Sequence, residues 1–303
     1  MSLNIENVNI PANLPAGDMP GEHVKIADGH IRKAKTIFPV LIDKIDSAMK
    51  GVSNGKIVIS ICGGSGAGKS GIASVLSYLL IEAGLGSYVM SGDNYPRRIP
   101  SANDNERLHI FRQGGVRALR DAGIMTPEIT DILRDLQRNN RDADPTLSTE
   151  YEWFGQYIVN ASGALKDYLG SPDEQDYDEV NSILSSFKEG ADELWLKRMG
   201  RDEASLWYDR VDMRDKNILI LEWTHGNSEY LRGVDIPILL ASTPQETLAY
   251  RLERGRDLGS DSPFTTIVLN LEQTILDSRA SRAAIILTRN GDITSPEDYQ
   301  KML

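Results

Sequence analysis

The chain has 303 residues, 40% of them hydrophobic and 25% charged, with 33 Lys and Arg against 44 Asp and Glu for a net charge of −11. That is the composition of a globular protein with a sizeable core, and it excludes disordered, collagen-like and disulfide-scaffold classes. No apolar stretch approaches the roughly 20 residues that span a bilayer, and the acidic balance argues against a nucleic-acid or other polyanion surface, which needs clustered Lys and Arg.

The first residues, up to His23, carry neither a basic leader nor an apolar run ending in small residues, so no secretory signal is expected. The single cysteine, Cys62, cannot form an internal disulfide and fits a reducing compartment, so a cytoplasmic location is expected. Residues 1 to 20, rich in Asn and Pro without apolar periodicity, read as an extended arm. From Val24 to Met49, the spacing of Ile31, Ile37, Val40, Leu41, Ile45 and Met49 predicts an amphipathic helix, or two broken near Pro39. Residues 1–54 together form an extension ahead of the main domain.

After the SNG turn, KIVISIC (56–62) is a β-branched run suited to a buried parallel strand. Four more such runs follow, at Ser87–Gly92, Asn217–Glu222, Asp235–Ser242 and Ala283–Arg289. Helical patterns separate them, at Gly71–Ala83, Asn103–Asp121, Pro244–Arg254 and Thr265–Ser278. Strands alternating with helices of this length predict a doubly wound α/β domain whose parallel sheet is covered on both faces. Its first part is 55–125 and its second 208–303. Between them, 126–207 breaks the rhythm with helical patterns at 127–139 and 177–190 and with acidic loops that hold most of the surplus negative charge. This helical insertion is either a solvated decoration or a cap over the site lined by Tyr151, Trp153, Phe154 and Tyr157, although such aromatics more often sit in a core.

The chemistry enters after the first strand, where Gly63-Gly64-Ser65-Gly66-Ala67-Gly68-Lys69-Ser70 satisfies G-x-x-x-x-G-K-[ST] and runs into a helix. Glycines let successive backbone N–H groups converge on phosphate oxygens, and the helix N-terminus adds its positive end. Lys69 then reaches the β- and γ-phosphates and the Ser70 hydroxyl binds Mg2+, which marks a nucleoside triphosphate site. At the carboxyl end of the second strand, Asp93 should face the same crevice. A carboxylate there can take the proton of an attacking hydroxyl or help hold Mg2+; a turn or N-cap role explains it equally well. Arg97 and Arg98 suit a phosphate or carboxylate on an acceptor, or are surface arginines of a loop. The third strand closes in Glu222, an acid placed to coordinate Mg2+ through water or to position the nucleophile. His225 beyond it is the best placed of the 4 histidines for substrate contact, with a structural role as the even alternative. Arg251, Arg254 and Arg256 around Gly255 could stabilise charge during phosphoryl transfer, or pair with Glu253 and Asp257 on a helix surface.

These residues resemble the P-loop kinases of the uridine kinase and phosphoribulokinase family. The resemblance rests on GGSGAGKS (63–70), Asp93 to Tyr95, the Tyr208-Asp209 pair, ILILEWTHG (218–226), similar to that family's strand ending in E-G-x-H, and the R-x-x-R-G-R run from Arg251 to Arg256. It implies a three-layer P-loop NTPase fold with a mostly parallel five-stranded sheet, a large helical insertion and a mobile lid around Arg254 to Gly259. It also implies Asp93 as base, Lys69 and Arg256 as electrostatic stabilisers, Arg254 with the nucleotide, Ser70 and Glu222 near the metal, and Tyr95, Arg97 and His225 on the acceptor. Two departures fall on the acceptor side: Trp223 stands where the family usually has Gly, and the insertion from Thr126 replaces a shorter substrate-binding region.

The expected activity is transfer of the γ-phosphoryl of ATP, with Mg2+, to a hydroxyl of a sugar phosphate or nucleoside; Arg97 and Arg98 weakly favour an anionic acceptor. An adenylylsulfate kinase-like enzyme would use the same crevice. A nucleotide-dependent switch is the competing class, without a guanine-specifying N-K-x-D motif to support it, and a degenerate kinase serving as a scaffold is a third reading. The expected partner is a small-molecule acceptor, with neither nucleic acid nor membrane; a homodimer is compatible with the sequence.

Overall fold

In the computed structural model, which describes residues 8–11, 13–15, 17–21, 25–200, 205–248 and 262–303, the first long element is α1 (Asp28–Met49), one helix of 22 residues with Pro39 inside it. The expected break at Pro39 does not occur. An interior proline costs a free helix about 3 kcal/mol, but Ala34, Ile37, Phe38, Leu41, Ile42 and Ile45 are buried along one face of α1. Each large aliphatic side chain so buried contributes about 1.5–3 kcal/mol, and the sum outweighs the lost hydrogen bond.

β1 (Ile57–Gly63) follows, buried at every position, then α2 (Lys69–Glu82), β2 (Ser87–Ser91) and α3 (Pro100–Asp121). Next come α4 (Pro127–Arg138), α5 (Phe154–Tyr168) and α6 (Tyr177–Lys188). α5 buries Phe154, Tyr157, Ala161, Leu165 and Tyr168 at helical spacing. Phe154 and Tyr157 are therefore core residues, packed with Phe111 of α3, while Tyr151 and Trp153 lie at the edge of that cluster.

The stretch expected to hold helices and acidic loops ends in an antiparallel ribbon, β3 (Glu193–Met199) paired with β4 (Leu206–Asp212). Glu193 and Trp195 of β3 are exposed while Leu194 and Leu196 are buried, an alternation of period two over its first four residues, after which Lys197, Arg198 and Met199 are all buried. The remaining elements are β5 (Ile218–Glu222), β6 (Ile236–Leu240), α7 (Pro263–Ser278), β7 (Ile285–Leu287), β8 (Ile293–Thr294) and α8 (Pro296–Gln300).

All five expected strands join one sheet in the order β2-β5-β1-β6-β7, and β8 extends it to six strands rather than five. The first five run parallel, whereas β8 returns antiparallel to β7. Its cause is local: Asn290-Gly291 turns the chain back, with the Thr288 N–H donating to Asp292 O at 2.9 Å. Helices cover both faces. Ile57, Ile59 and Ile61 point into the cluster with α1 and α2, while Val58 points the other way, into α6 and the ribbon. Among the described residues, no helix is long and apolar enough to cross a membrane.

α1 is thus part of the core and not a detachable preface. Ile45→Ala should lower unfolding stability by about 2–5 kcal/mol, read from the urea midpoint at unchanged m; a surface-like loss below about 0.5 kcal/mol would show α1 to be dispensable.

Candidate active site

The segment 63–70 links β1 to α2 and brings Gly63, Gly64, Ser65, Gly66, Ala67, Gly68, Lys69 and Ser70 into one turn. Gly68 caps α2 at φ 91°, a left-handed conformation that a side chain would strain. The Lys69 ammonium donates to the carbonyls of Gly63 (3.1 Å) and Gly64 (3.3 Å), so it is folded over the turn that it would share with phosphate. A Cβ added to Gly64 would lie 3.1 Å from Gln273 Oε1 and 3.9 Å from Ser242 Oγ, which places α7 and the end of β6 at the loop. Ser242 Oγ is buried and has no hydrogen-bond partner among the described residues. Backbone N–H groups at a helix N-terminus, an ammonium and an orphaned buried hydroxyl fit a triphosphate.

The sheet register fixes the other side of the crevice. Glu222, at the end of β5, stands opposite Ile61 of β1 and Ser91 of β2, so the three strands end at one edge. Beyond Ser91, residues Gly92–Asn94 form a tight 3-10 turn in which the Asp93 N–H donates to Ser91 Oγ at 3.1 Å. Asp93 itself is exposed. Trp223 is buried directly behind this turn; a Cβ on Gly92 would fall inside the indole, so glycine is required. The Ser70 hydroxyl and the buried Glu222 carboxylate are hard oxygen donors suited to Mg2+. Among the described residues no group of three or more His, Cys, Asp or Glu could hold a metal by itself. One hydroxyl and one carboxylate fit Mg2+, a cation commonly bound through one or two carboxylates together with phosphate oxygens and water.

A charged cluster that the motifs did not reveal lies next to this edge. Arg107 of α3 donates through Nε to Glu174 Oε1 (2.6 Å) and pairs through Nη2 with Glu272 Oε1 of α7 (3.2 Å). Glu174 also accepts from Asn103 Nδ2 (3.1 Å) and from the Gly170 N–H (2.6 Å). Burial alone would raise the Glu174 carboxyl, but Arg107 and the Gly170 N–H hold it down at about 2. Glu272 is raised by its burial, against the pull of Arg107 and Lys69 and helped by the Glu174 and Asp93 carboxylates. His225, buried with its ring edge-on to Trp223 at 5.3 Å between centroids, is pushed down to about 4 by burial and stays neutral. Glu272 had one visible signal: it falls among Val268, Ile275 and Leu276, the buried face of α7. Nothing in the local pattern marks Arg107 or Glu174.

Other expected acceptor contacts are engaged elsewhere. Tyr95 is fully buried, with its hydroxyl accepting from the Lys197 N–H at 3.3 Å and the Lys197 ammonium 5.5 Å from its ring centroid. Arg97 pairs with Asp176 at 3.5 Å and donates to Pro172 O. Arg98 donates to Tyr168 Oη (2.9 Å) and Asp173 O (3.2 Å). Both arginines thus tie the β2 side to the loop between α5 and α6. Arg251, Arg254 and Arg256, with the whole of the expected lid and most of the helix from Pro244, lie outside the described residues; residues 244–248 are helical.

A parallel sheet whose β1 leads through G-x-x-x-x-G-K-S into a helix, with an acid closing the neighbouring strand, defines a P-loop α/β protein of the nucleotide-binding class. No family model matches the chain. Over 253 residues, 84% of its length, it is 32% identical to a bifunctional alpha-galactosidase/sucrose kinase from Mediterraneibacter gnavus, of which it spans 22%. Among solved structures, the phosphoribulokinase of Rhodobacter spheroides matches at TM-score 0.47 and 12% identity, over 78% of this chain and 71% of that one. A candidate fructose transport system kinase from Silicibacter sp. matches at TM-score 0.47 and 13% identity, over 79% of this chain and 93% of that one. The similarity to a bifunctional protein with sucrose kinase in its name agrees with the likeness that the motifs carry to P-loop kinases.

A neutral buried His225 makes stability depend on pH. Its folded pKa lies below its unfolded 6.5, so its contribution is complete above pH 6.5 and is lost as pH falls through about 4. The expected loss across that window is about 3 kcal/mol, and His225→Gln should flatten the slope in urea unfolding; an unchanged slope would refute the assignment.

Proposed function

We propose that the protein is a kinase that transfers the γ-phosphoryl group of ATP, with Mg2+, to a hydroxyl of an uncharged small sugar. The observation that carries this reading is the shared sheet edge, where the loop with Lys69, the Glu222 carboxylate and the turn with Asp93 follow the ends of adjacent parallel strands. The 32% identity to a bifunctional enzyme with sucrose kinase in its name supports a sugar hydroxyl as acceptor. An uncharged acceptor is favoured because Arg97 and Arg98, which would suit a phosphate, are already engaged by protein groups. Sugar phosphates and adenylylsulfate fit this neighbourhood less well.

In this mechanism the loop amides and Lys69 hold the β- and γ-phosphate oxygens, and Asp93 accepts the proton of the acceptor hydroxyl as its oxygen attacks the γ-phosphorus. The bond from the γ-phosphorus to the bridging oxygen breaks, and the negative charge left on the β-phosphate of ADP is stabilised by Lys69 and the loop amides. Mg2+, when bound near Ser70 and Glu222, neutralises phosphate charge. Arg254 and Arg256 are proposed to reach the nucleotide and the transferring group. His225, neutral and behind the edge, shapes the acceptor wall through Trp223. Catalysis is then mostly positioning and electrostatics.

The test is acceptor-dependent ADP release with sucrose, fructose, uridine and adenylylsulfate in separate reactions. Release with a neutral sugar is expected, falling by about 10²–10⁴ in Asp93→Asn while ATP still binds; Lys69→Ala should weaken ATP binding itself. Undiminished transfer by Asp93→Asn would remove Asp93 as the base, and ADP release indifferent to every acceptor would overturn the kinase reading.

A further inference from the structure

We propose that Asp18, on the arm ahead of α1, is a positioning residue for Asp93: its carboxylate clamps the 91–94 turn to the β3–β4 ribbon. The clamp stands on hydrogen bonding alone, and its catalytic consequence rests on the kinase reading above.

The Asp18 side chain is only 7% exposed, although it belongs to a segment with no regular structure of its own. Its Oδ1 accepts from the Ser91 N–H (2.6 Å) and from Asn94 Nδ2 (3.1 Å). Its Oδ2 accepts from the Tyr88 hydroxyl (3.1 Å) and from Arg198 Nη1 (2.8 Å). Four donors meet one carboxylate, about the full capacity of its lone pairs. Three of them come from β2 and its turn, and the fourth from β3.

The second link runs through Asn94, which is fully buried. While its Nδ2 donates to Asp18, its Oδ1 accepts the Met199 N–H of β3 at 3.0 Å. Arg198 is itself fixed, donating through Nε to Asp209 of β4 (3.0 Å), through Nη2 to Tyr88 (3.1 Å) and through Nη1 to Lys197 O (3.1 Å). Asp93 therefore projects from a turn whose two flanks, Ser91 and Asn94, both end on Asp18.

Apolar contacts already seat the arm, since Val8, Ile10 and Leu14 pack against the cluster of α1 and α2. A buried carboxylate is a costly further anchor, several kcal/mol unless it is fully paired. What it adds is direction. Non-directional apolar burial would hold the arm down without fixing the turn, whereas four oriented bonds join three segments that have no covalent connection nearby. A displacement of about 1 Å in a reacting group can cost about 10²-fold in rate, so the position of this turn has a catalytic consequence.

The experiment uses the full chain with Asp18→Ala and, because it is nearly isosteric and guards against misfolding, Asp18→Asn. Amide hydrogen exchange over 91–94 and at Met199 reads the clamp; ATP-binding stoichiometry and affinity, and turnover with sucrose, fructose and uridine, read its consequence. Exchange in both segments should quicken about tenfold or more, and kcat per ATP-binding site should fall about 10- to 100-fold, with the ATP dissociation constant within about twofold. Unchanged exchange in both variants overturns the clamp. Faster exchange with an unchanged kcat, or a kcat loss that only tracks lost ATP-binding sites, overturns the positioning role. A wild-type protein that uses none of the three acceptors refutes the kinase reading and the catalytic half of the proposal with it, while the exchange result still decides the clamp.

Discussion

β5 pairs in parallel with β1 on one side and β2 on the other, and in this register Glu222 stands beside Ile61 and Ser91. A strand's side chains alternate, so a slip of one residue would turn every one of them to the other face and carry Glu222 away from the loop. The register is held by the core on both sides: Ile218 and Ile220 face α1 and α2, while Leu219 and Leu221 face α6 and the ribbon. The crevice inherits its geometry from that packing. Trp223, one residue past the edge, fills the space behind the Gly92 turn, so the aligned strand ends and the turn bearing Asp93 are parts of one packed unit.

Around this edge the protein places more carboxylates than cations. Glu174 comes from the loop between α5 and α6, Glu272 from α7, and Arg107 of α3 joins the two. Such a buried arrangement tolerates its charges only because each is paired, and removal of one partner strands the other. It also links the α3–α6 region to the sheet edge electrostatically, in addition to the packing of Phe111, Phe154 and Val268 in one cluster. The same loop engages Arg97 and Arg98. The two arginines thus act as ties within the structure.

The sheet was largely legible before any coordinates because its strands are continuous β-branched runs bounded by turns, the pattern of strands buried on both faces. What escaped was set by contacts from far along the chain. Pro39 should break a helix by local rules, yet Ile37, Leu41 and Ile45 find a core to enter and the helix continues. Leu194 and Leu196 form a strand because β4 is there to pair with them; in isolation the run from 193 to 199 mixes Glu, Lys and Arg with its apolar residues and lacks the continuous β-branched pattern of the sheet strands. Phe154 and Tyr157 were visible as aromatics, but not as one face of a helix packed on α3.

By itself the sequence determined the phosphate loop, the strand-helix alternation and the acids at two strand ends, because those features depend on residues adjacent in the chain. A glycine turn, a lysine and a helix N-terminus need only their own neighbours to form an anion cradle. The tertiary structure alone decided which groups share that crevice. Arg107, Glu174 and Glu272 meet across α3, a loop and α7, and Asp18 meets Ser91 and Arg198 across more than 70 and more than 100 residues of chain. Such pairings follow from how the elements pack, and packing is a property of the whole core that no local pattern encodes.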